Sequence, residues 1–333
     1  MKHGCVDMSH YSPPFQITPT ILHSVAEICE MLGRWSASPG AVSPRLRRNN
    51  RIRTIQASLA IENNTLSVEQ VTAVLAGKKV LGPPREIQEV RNAFAAYEAM
   101  NEWSSTSSKD LLAAQGLLMA GLVDDPGRFR GGGVGIYQGT QLIHMAPPAN
   151  RVPALINDLQ HWLGATDAHP LIAGSVFHYE LEFIHPFMDG NGRMGRLWQT
   201  LIFSHWQPML AFLPVETIIR DQQTAYYHAL AEADEAADAT VFVEFILGAL
   251  KAAMGEVLLA QDAEKTSGKT SGKTSGKILQ QIRANPHITI PELADIIGVT
   301  ERTIERNIQK LQQARSLKRI GPAKGGHWDV IND

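Results

Sequence analysis

The stretch His185-Pro186-Phe187-Met188-Asp189-Gly190-Asn191-Gly192-Arg193-Met194-Gly195-Arg196 gathers an imidazole, a carboxylate, loop glycines, a carboxamide and two guanidinium groups. Gly190 and Gly192 permit backbone angles and close approach that present N–H groups to an anion, and the loop feeds a helix N-terminus, so the segment reads as a phosphate cradle. Arg193 and Arg196, three apart on the opening turn, can share one side and clamp further phosphate oxygens, which favours a polyphosphate. Asp189 offers one hard oxygen, the usual protein share of a Mg²⁺ that also binds substrate phosphates. His185, with an ordinary imidazole pKa of about 6.5, can take the proton of a hydroxyl attacking phosphorus. The chemistry expected is nucleotidyl or phosphoryl transfer on a Mg-nucleotide.

A mainly helical chain must position these groups. Apolar periodicity predicts helices over 20–35, with Thr18 or Thr20 as cap, and over 52–62, 86–103, 108–121, 152–163, 171–184, 194–203, 224–233 and 241–259. Between 134 and 145 the pattern turns β-prone, with Gly139 and Thr140 offering a turn, and a small hairpin is expected. Repeats of Lys-Thr-Ser-Gly over 265–277 cannot bury enough apolar surface to order themselves and read as a flexible tether. Beyond them lie a helix from Ile278, then a helix, a glycine turn at Gly298 and a third helix capped by Thr300, then two short strands. The expected domains are 1–90, a helical region; 91–260, a catalytic core; 261–277, a linker; and 278–333, a helix-turn-helix with a wing.

Composition narrows the partners. The 333 residues suffice for about two to three domains, and 31 Lys+Arg against 33 Asp+Glu leave a net charge of -2, so no global field dictates a nucleic-acid or membrane partner. Cys5 and Cys29 form no C-x-x-C spacing, and the N-terminus lacks a basic end followed by an apolar block, so a disulfide framework and ordinary secretion are not expected and a cytoplasmic setting fits. The most apolar charge-poor stretch, 197–215, contains Gln199, His205, Gln207 and Pro208, a poor bilayer span, and no membrane partner is expected. Arg45, Arg47, Arg48, Arg51 and Arg53 cluster on one segment, as a solvated helix face or a phosphate contact. The tail from 277 carries nine Lys+Arg against six Asp+Glu, with Arg302, Arg306 and Lys310 on its last helix beside Glu301 and Glu305, a mild bias toward DNA.

The 185–196 segment matches the Fic-domain signature H-P-F-x-[DE]-G-N-G-R-x-x-R and is identified as a member of that family's pattern. The resemblance implies AMP transfer from ATP to a Tyr, Thr or Ser hydroxyl of a target protein, with release of pyrophosphate. By that likeness His185 is the base and Asp189 the metal ligand; Asn191 with the Gly190 and Gly192 amides holds the α-phosphate, and Arg193 and Arg196 hold the β and γ phosphates. The hairpin resembles the family's flap, which pairs with a target segment by strand addition. Ser58-Leu59-Ala60-Ile61-Glu62-Asn63 resembles the inhibitory helix pattern [ST]-x-x-x-E-[GN], which implies that Glu62 pairs with Arg196 in the space of the γ-phosphate. Tyr226 and Tyr227 fall where relatives line an adenine pocket, although paired aromatics are also common in cores. His178 and Glu182 read as structural hydrogen-bonding groups, and Arg128 and Arg130 as loop ties. The tail resembles winged-helix modules, which bind DNA, dock proteins or dimerise, so a homodimer stays open. Three readings follow: a self-inhibited protein adenylyltransferase, a DNA-binding regulator with a Fic sensor core, and an enzyme that also removes AMP.

Overall fold

The computed structural model describes residues 11–37, 43–138, 141–322 and 325–331. The chain divides into two compact units, Met1–Leu258 and Leu259–Asp333. The first holds α1 (Pro19–Ser36), α2 (Pro44–Ile61), α3 (Val68–Leu75), α4 (Pro84–Ala99), α5 (Ser108–Leu118), the hairpin β1 (Gly135–Gln138) and β2 (Gln141–Met145), α6 (Val152–Ala165), α7 (Pro170–Ile184), α8 (Asn191–Trp206), α9 (Val215–Asp221), α10 (Gln223–Ala236) and the start of α11 (Thr240–Ala284). The second holds the end of α11, α12 (Ile290–Ile297), α13 (Glu301–Gln313), β3 (Leu317–Ile320) and β4 (His327–Val330).

The centre of the first unit is the pair α7 and α8, both buried along nearly their whole length, α7 mostly apolar and α8 carrying buried polar groups among its apolar ones. Glycines let their backbones close up: a Cβ at Gly195 would meet the His178 ring, and one at Gly174 would meet Phe203. Residues 1–90 do not form a layer of their own. Ile21, Ile28 and Trp35 of α1, Ile55 and Leu59 of α2 and Val90 of α4 belong to the same core as Phe177, Leu197 and Trp198.

Helix α2 begins at Pro44, eight residues ahead of the predicted 52, behind a Ser43 cap that accepts from the Leu46 N–H. The arginine run hides this start, because it has no apolar period to read. Its members also differ in fate. Arg51 is buried against the rings of Tyr97 and Phe212 and donates to the Ala211 carbonyl, whereas Arg45, Arg47 and Arg48 are exposed. Helix α3 escaped prediction because it is two turns long; the Ser67/Gln70 capping box fixes its start.

The expected hairpin is present as an antiparallel pair, with Gly135 opposite Met145 and a bulge between Ile136 and Tyr137. Its turn residues Gly139 and Thr140 lie outside the described residues.

The repeat region departs from the expected tether. Residues 261–277 continue α11 as helix. Nucleation is the costly step of helix formation, and here helix enters from both sides with no proline to stop it. The last repeat joins the second unit, where Thr274 is buried and the Ser275 hydroxyl donates to Asn307. That unit packs Ile278, Ile282, Leu293, Ile304, Ile308, Leu317 and Trp328 into a small core. Helices α12 and α13 are joined at left-handed Gly298, and β3 pairs antiparallel with β4 as a wing. Among the described residues no helix is long and apolar enough to cross a membrane.

Candidate functional site

Helix α7 stops at His185, which adopts a left-handed conformation (φ 48°) while its N–H still donates to Leu181. That conformation is uncommon for a residue with a Cβ and places the half-buried imidazole at the mouth of the loop. The loop from 186 to 190 is held at several points. Phe187 is fully buried and stacks on Phe129. Gly190, at φ 86°, sits against Met119 with no room for a side chain. The Gln115 amide donates to the Asp189 carbonyl at 3.3 Å. Arg130 donates to four backbone carbonyls, those of His185, Ile184, Gly132 and Pro147, and so ties the base of the hairpin to the loop, as expected of a loop tie.

Asn191 is tied into the loop. Its side chain accepts from the Phe187 N–H and donates one of its two amide hydrogens to the Phe187 carbonyl, both at 2.9 Å, so the carboxamide closes the loop upon itself. These two bonds leave the second amide hydrogen uncommitted, and the backbone N–H of Asn191 stands at the start of α8 next to that of Gly192.

Arg196 is only 1% exposed. It donates to the Ser58 hydroxyl and the Ser58 carbonyl, each at 3.0 Å, and to Glu62 Oε1 at 2.7 Å, so the structure brings Ser58 and Glu62, two of the three residues singled out in this segment, onto one guanidinium. Burial works against the charge on Arg196, but Glu62, Tyr226 and Glu182 outweigh it and hold the guanidinium above its ordinary pKa. Its Nη1 is buried without an acceptor among the described residues. Glu62 also lies directly on Gly192, where any side chain would collide with the carboxylate. The local sequence explains its position. Asn63 is left-handed (φ 66°), its N–H bonds to Ala60 and that of Asn64 to Leu59, which is a Schellman ending that leaves Glu62 as the helix cap. Asn63 is therefore a helix terminator that aims Glu62 and makes no ion pair itself.

Arg193 is buried as well, and its Nε has no acceptor among the described residues. Its Nη2 donates to Asp189 Oδ1 at 2.9 Å, and Nη1 lies 3.6 Å from Glu89 Oε1. Two residues of α4 that the sequence reading missed complete this group. Arg85 Nη2 donates to Asp189 Oδ2 at 3.2 Å, and Arg85 Nε lies 3.6 Å from Glu89 Oε1. Glu89 Oε2 accepts from Asn64, two residues past Glu62. Spaced four apart on an amphipathic helix, Arg85 and Glu89 resemble any surface ion pair, and nothing in their spacing marks them. Gln115 carried a readable signal, as a buried amide on the face that holds Leu111, Ala114 and Leu118.

Asp189 alone cannot cage a metal, and the described residues contain no group of three or more His, Cys, Asp or Glu side chains able to hold one. A single carboxylate, 41% exposed beside a phosphate cradle, does fit a Mg²⁺ whose remaining ligands are phosphate oxygens and water.

The two tyrosines separate. Tyr226, expected in the adenine pocket, is buried among Phe242 and Phe245, with its hydroxyl 3.2 Å from His178 Nε2. The two rings lie with centroids 5.3 Å apart, one inside the core and the other at its surface. Tyr227 is exposed, its hydroxyl 3.5 Å from the Ile61 carbonyl beside Glu62. His178 also meets Gln199 Oε1 at 2.8 Å, a structural role as expected. Burial works to raise the Glu182 carboxyl, but His178, His185 and Arg196 together hold it below its ordinary value.

Comparison with known proteins agrees with this geometry. Residues 105–203 match the model of the Fic/DOC family, and residues 273–314 that of a winged helix-turn-helix DNA-binding family. A Fic family protein from Desulfovibrio desulfuricans G20 is 52% identical, with a TM-score of 0.74 over 97% of this chain and 99% of that one. Fic-1 from C. elegans is 25% identical, with a TM-score of 0.61 over 73% of each chain. The protein adenylyltransferase Fic of Drosophila grimshawi is 30% identical over 213 residues, and that of Aedes aegypti 30% over 214. Each match covers 61% of this chain, and the chain spans about two fifths of the length of these curated relatives (42% and 40%). By its complete loop motif and a full-length likeness of this strength, the chain belongs to the Fic family.

Proposed function

We propose that the chain is a self-inhibited protein adenylyltransferase that moves AMP from Mg-ATP to a Tyr, Thr or Ser hydroxyl of a target protein. The observation that carries this reading is the pair of buried guanidinium N–H groups without acceptors among the described residues, Arg193 Nε and Arg196 Nη1, on the helix that follows the glycine loop. A buried donor left unpaired is costly, and a triphosphate would satisfy both. The relatives named adenylyltransferase support the reaction class.

In the reaction, the target hydroxyl oxygen attacks the α-phosphorus while His185 takes its proton. The bond from that phosphorus to the oxygen bridging to the β-phosphate breaks, and pyrophosphate leaves. The backbone N–H groups of Asn191 and Gly192 face the α-phosphate, and Arg193 and Arg196 bind the departing oxygens. Asp189 would hold the Mg²⁺, which neutralises phosphate charge when bound. Glu62 keeps Arg196 occupied, so ATP binds unproductively until α2 yields.

The test uses the full chain with Mg²⁺ and ATP labelled on the α-phosphate. Glu62→Gly is expected to label itself or lysate proteins, and Glu62→Gly with His185→Ala to stay silent. Transfer of a γ-label instead would replace this reading with phosphoryl transfer. Release of AMP from labelled protein by the parent, lost in Glu62→Gly, would assign the reverse direction.

We infer in addition that the second unit contacts DNA. Arg302, Arg306 and Gln309 are exposed on α13 and line one shallow surface with Thr300, Thr303 and Glu305. Fluorescence anisotropy with labelled duplexes tests it, and affinity that does not fall with salt would exclude a phosphate-led contact.

A further inference from the structure

Around Asp189 the charges close into a ring. Helix α4 presents Arg85 and Glu89 four residues apart; the loop and the first turn of α8 present Asp189 and Arg193 four apart, with the signs reversed. Arg85 meets Asp189 at 3.2 Å, Asp189 meets Arg193 at 2.9 Å, and Glu89 lies 3.6 Å from both arginines. Each carboxylate oxygen of Asp189 thus carries a guanidinium, Oδ1 that of Arg193 and Oδ2 that of Arg85.

The two arginines are not equivalent. Arg193 is buried and held on α8, whereas the Arg85 side chain is 55% exposed and enters from α4. We propose that Arg85 is a cationic placeholder: it occupies the Asp189 oxygen that the divalent ion takes when Mg-ATP binds, and it leaves when the ion arrives. This inference rests on the Mg-ATP reading of the site. Mg²⁺ binds a carboxylate oxygen at about 2.0–2.1 Å and keeps its remaining positions for water and phosphate, so it cannot share Oδ2 with a guanidinium. Two cations on one carboxylate also repel.

The exchange is cheap. An ion pair between side chains this exposed is screened and weak. The displaced guanidinium also keeps partners close at hand, since Arg85 Nη1 already donates to the Leu122 carbonyl at 3.0 Å and Nε faces Glu89. Before the ion arrives, the placeholder keeps Asp189 neutralised, and with it the mouth of the loop. The Mg²⁺ concentration that supports ATP binding is therefore set partly by competition with Arg85.

The experiment measures calorimetric binding of α,β-methylene ATP to full-length Glu62→Gly protein across a Mg²⁺ series, alone and combined with Arg85→Ala or Arg85→Lys. Removing the competitor is expected to lower the Mg²⁺ midpoint by about three- to fivefold, the equilibrium equivalent of an exposed ion pair. Affinity at saturating Mg²⁺ should stay near that of the parent, and Arg85→Lys, which keeps the charge, should have a midpoint within about twofold of it. The direction is diagnostic, because loss of a merely structural tie would raise the midpoint. An unchanged or raised midpoint in Arg85→Ala, with Mg-dependent binding intact in the parent, overturns the placeholder alone. If the Glu62→Gly parent itself binds no nucleotide in a Mg-dependent manner, the Mg-ATP reading falls and the placeholder with it.

Discussion

Two ion pairs reach into the same loop motif from two different helices, and they are built for opposite purposes. The pair from α2, Glu62 to Arg196, joins a guanidinium that is 1% exposed to a carboxylate that is 35% exposed, and the Ser58 hydroxyl and carbonyl complete the guanidinium's shell. The pair from α4, Arg85 to Asp189, lies in the open on both sides. Coulomb attraction strengthens as water is excluded, and so does the cost of leaving a charge alone. On the proposed function the first pair is therefore a lock that opens when another anion replaces Glu62, whereas the second is a contact that salt or a competing cation can exchange. Burial, more than distance, separates the two, since 2.7 and 3.2 Å are both ordinary ion-pair lengths.

The largest effect expected on the buried side follows Arg196→Ala in the Glu62→Gly background, where transfer rates should fall about 10²- to 10³-fold through loss of a donor to developing phosphate charge. Single-turnover labelling checks it, and a fall of less than about threefold would break the assignment of Arg196 to phosphate. Next, Glu62→Gly alone should raise transfer by roughly 10- to 100-fold, the range for a charge-assisted hydrogen bond. The same change should destabilise the free protein by about 3 kcal/mol, because Arg196 is left buried without its carboxylate, and Mg-ATP should restore most of the loss. Urea unfolding with and without nucleotide measures both. A smaller effect separates the pairs directly. Raising salt from 0.05 to 0.5 M should leave the ratio of Glu62→Gly to parent activity within about twofold while removing the difference between parent and Arg85→Ala in Mg²⁺ midpoint. The smallest effect concerns Asn63: a β-branched Val at this left-handed position should cost about 1–2 kcal/mol and modestly raise basal transfer, while Asn63→Gly should do neither. A thermal melt paired with a labelling assay would show it.

The chemistry was legible because it is concentrated in one contiguous segment, and the pair on α2 was legible because a Ser and a Glu four apart preceded that segment. The hairpin and the helix-turn-helix could be read because alternation and a turn glycine are local signals. Arg85 and Glu89 were hidden, since their meaning depends on a partner roughly 100 residues away in a fold that the helix itself does not reveal. Asn191 was legible only in part: an amide in a phosphate loop suggests a ligand contact, and the coordinates add that the same group closes the loop on Phe187. The repeat segment was misjudged because composition weighs each residue alone, whereas a helix already formed on both flanks changes the cost of continuing through the middle.

The bare Cα of Gly192 is where the Glu62 carboxylate rests, and where the motif would seat a phosphate. A side chain at that position would evict inhibitor and substrate together. On the proposed function a change at residue 192 therefore cannot alter one tenancy without ending the other, and restraint is adjustable only from the side of α2, through the helix, its Asn63 ending or the surfaces that grip it.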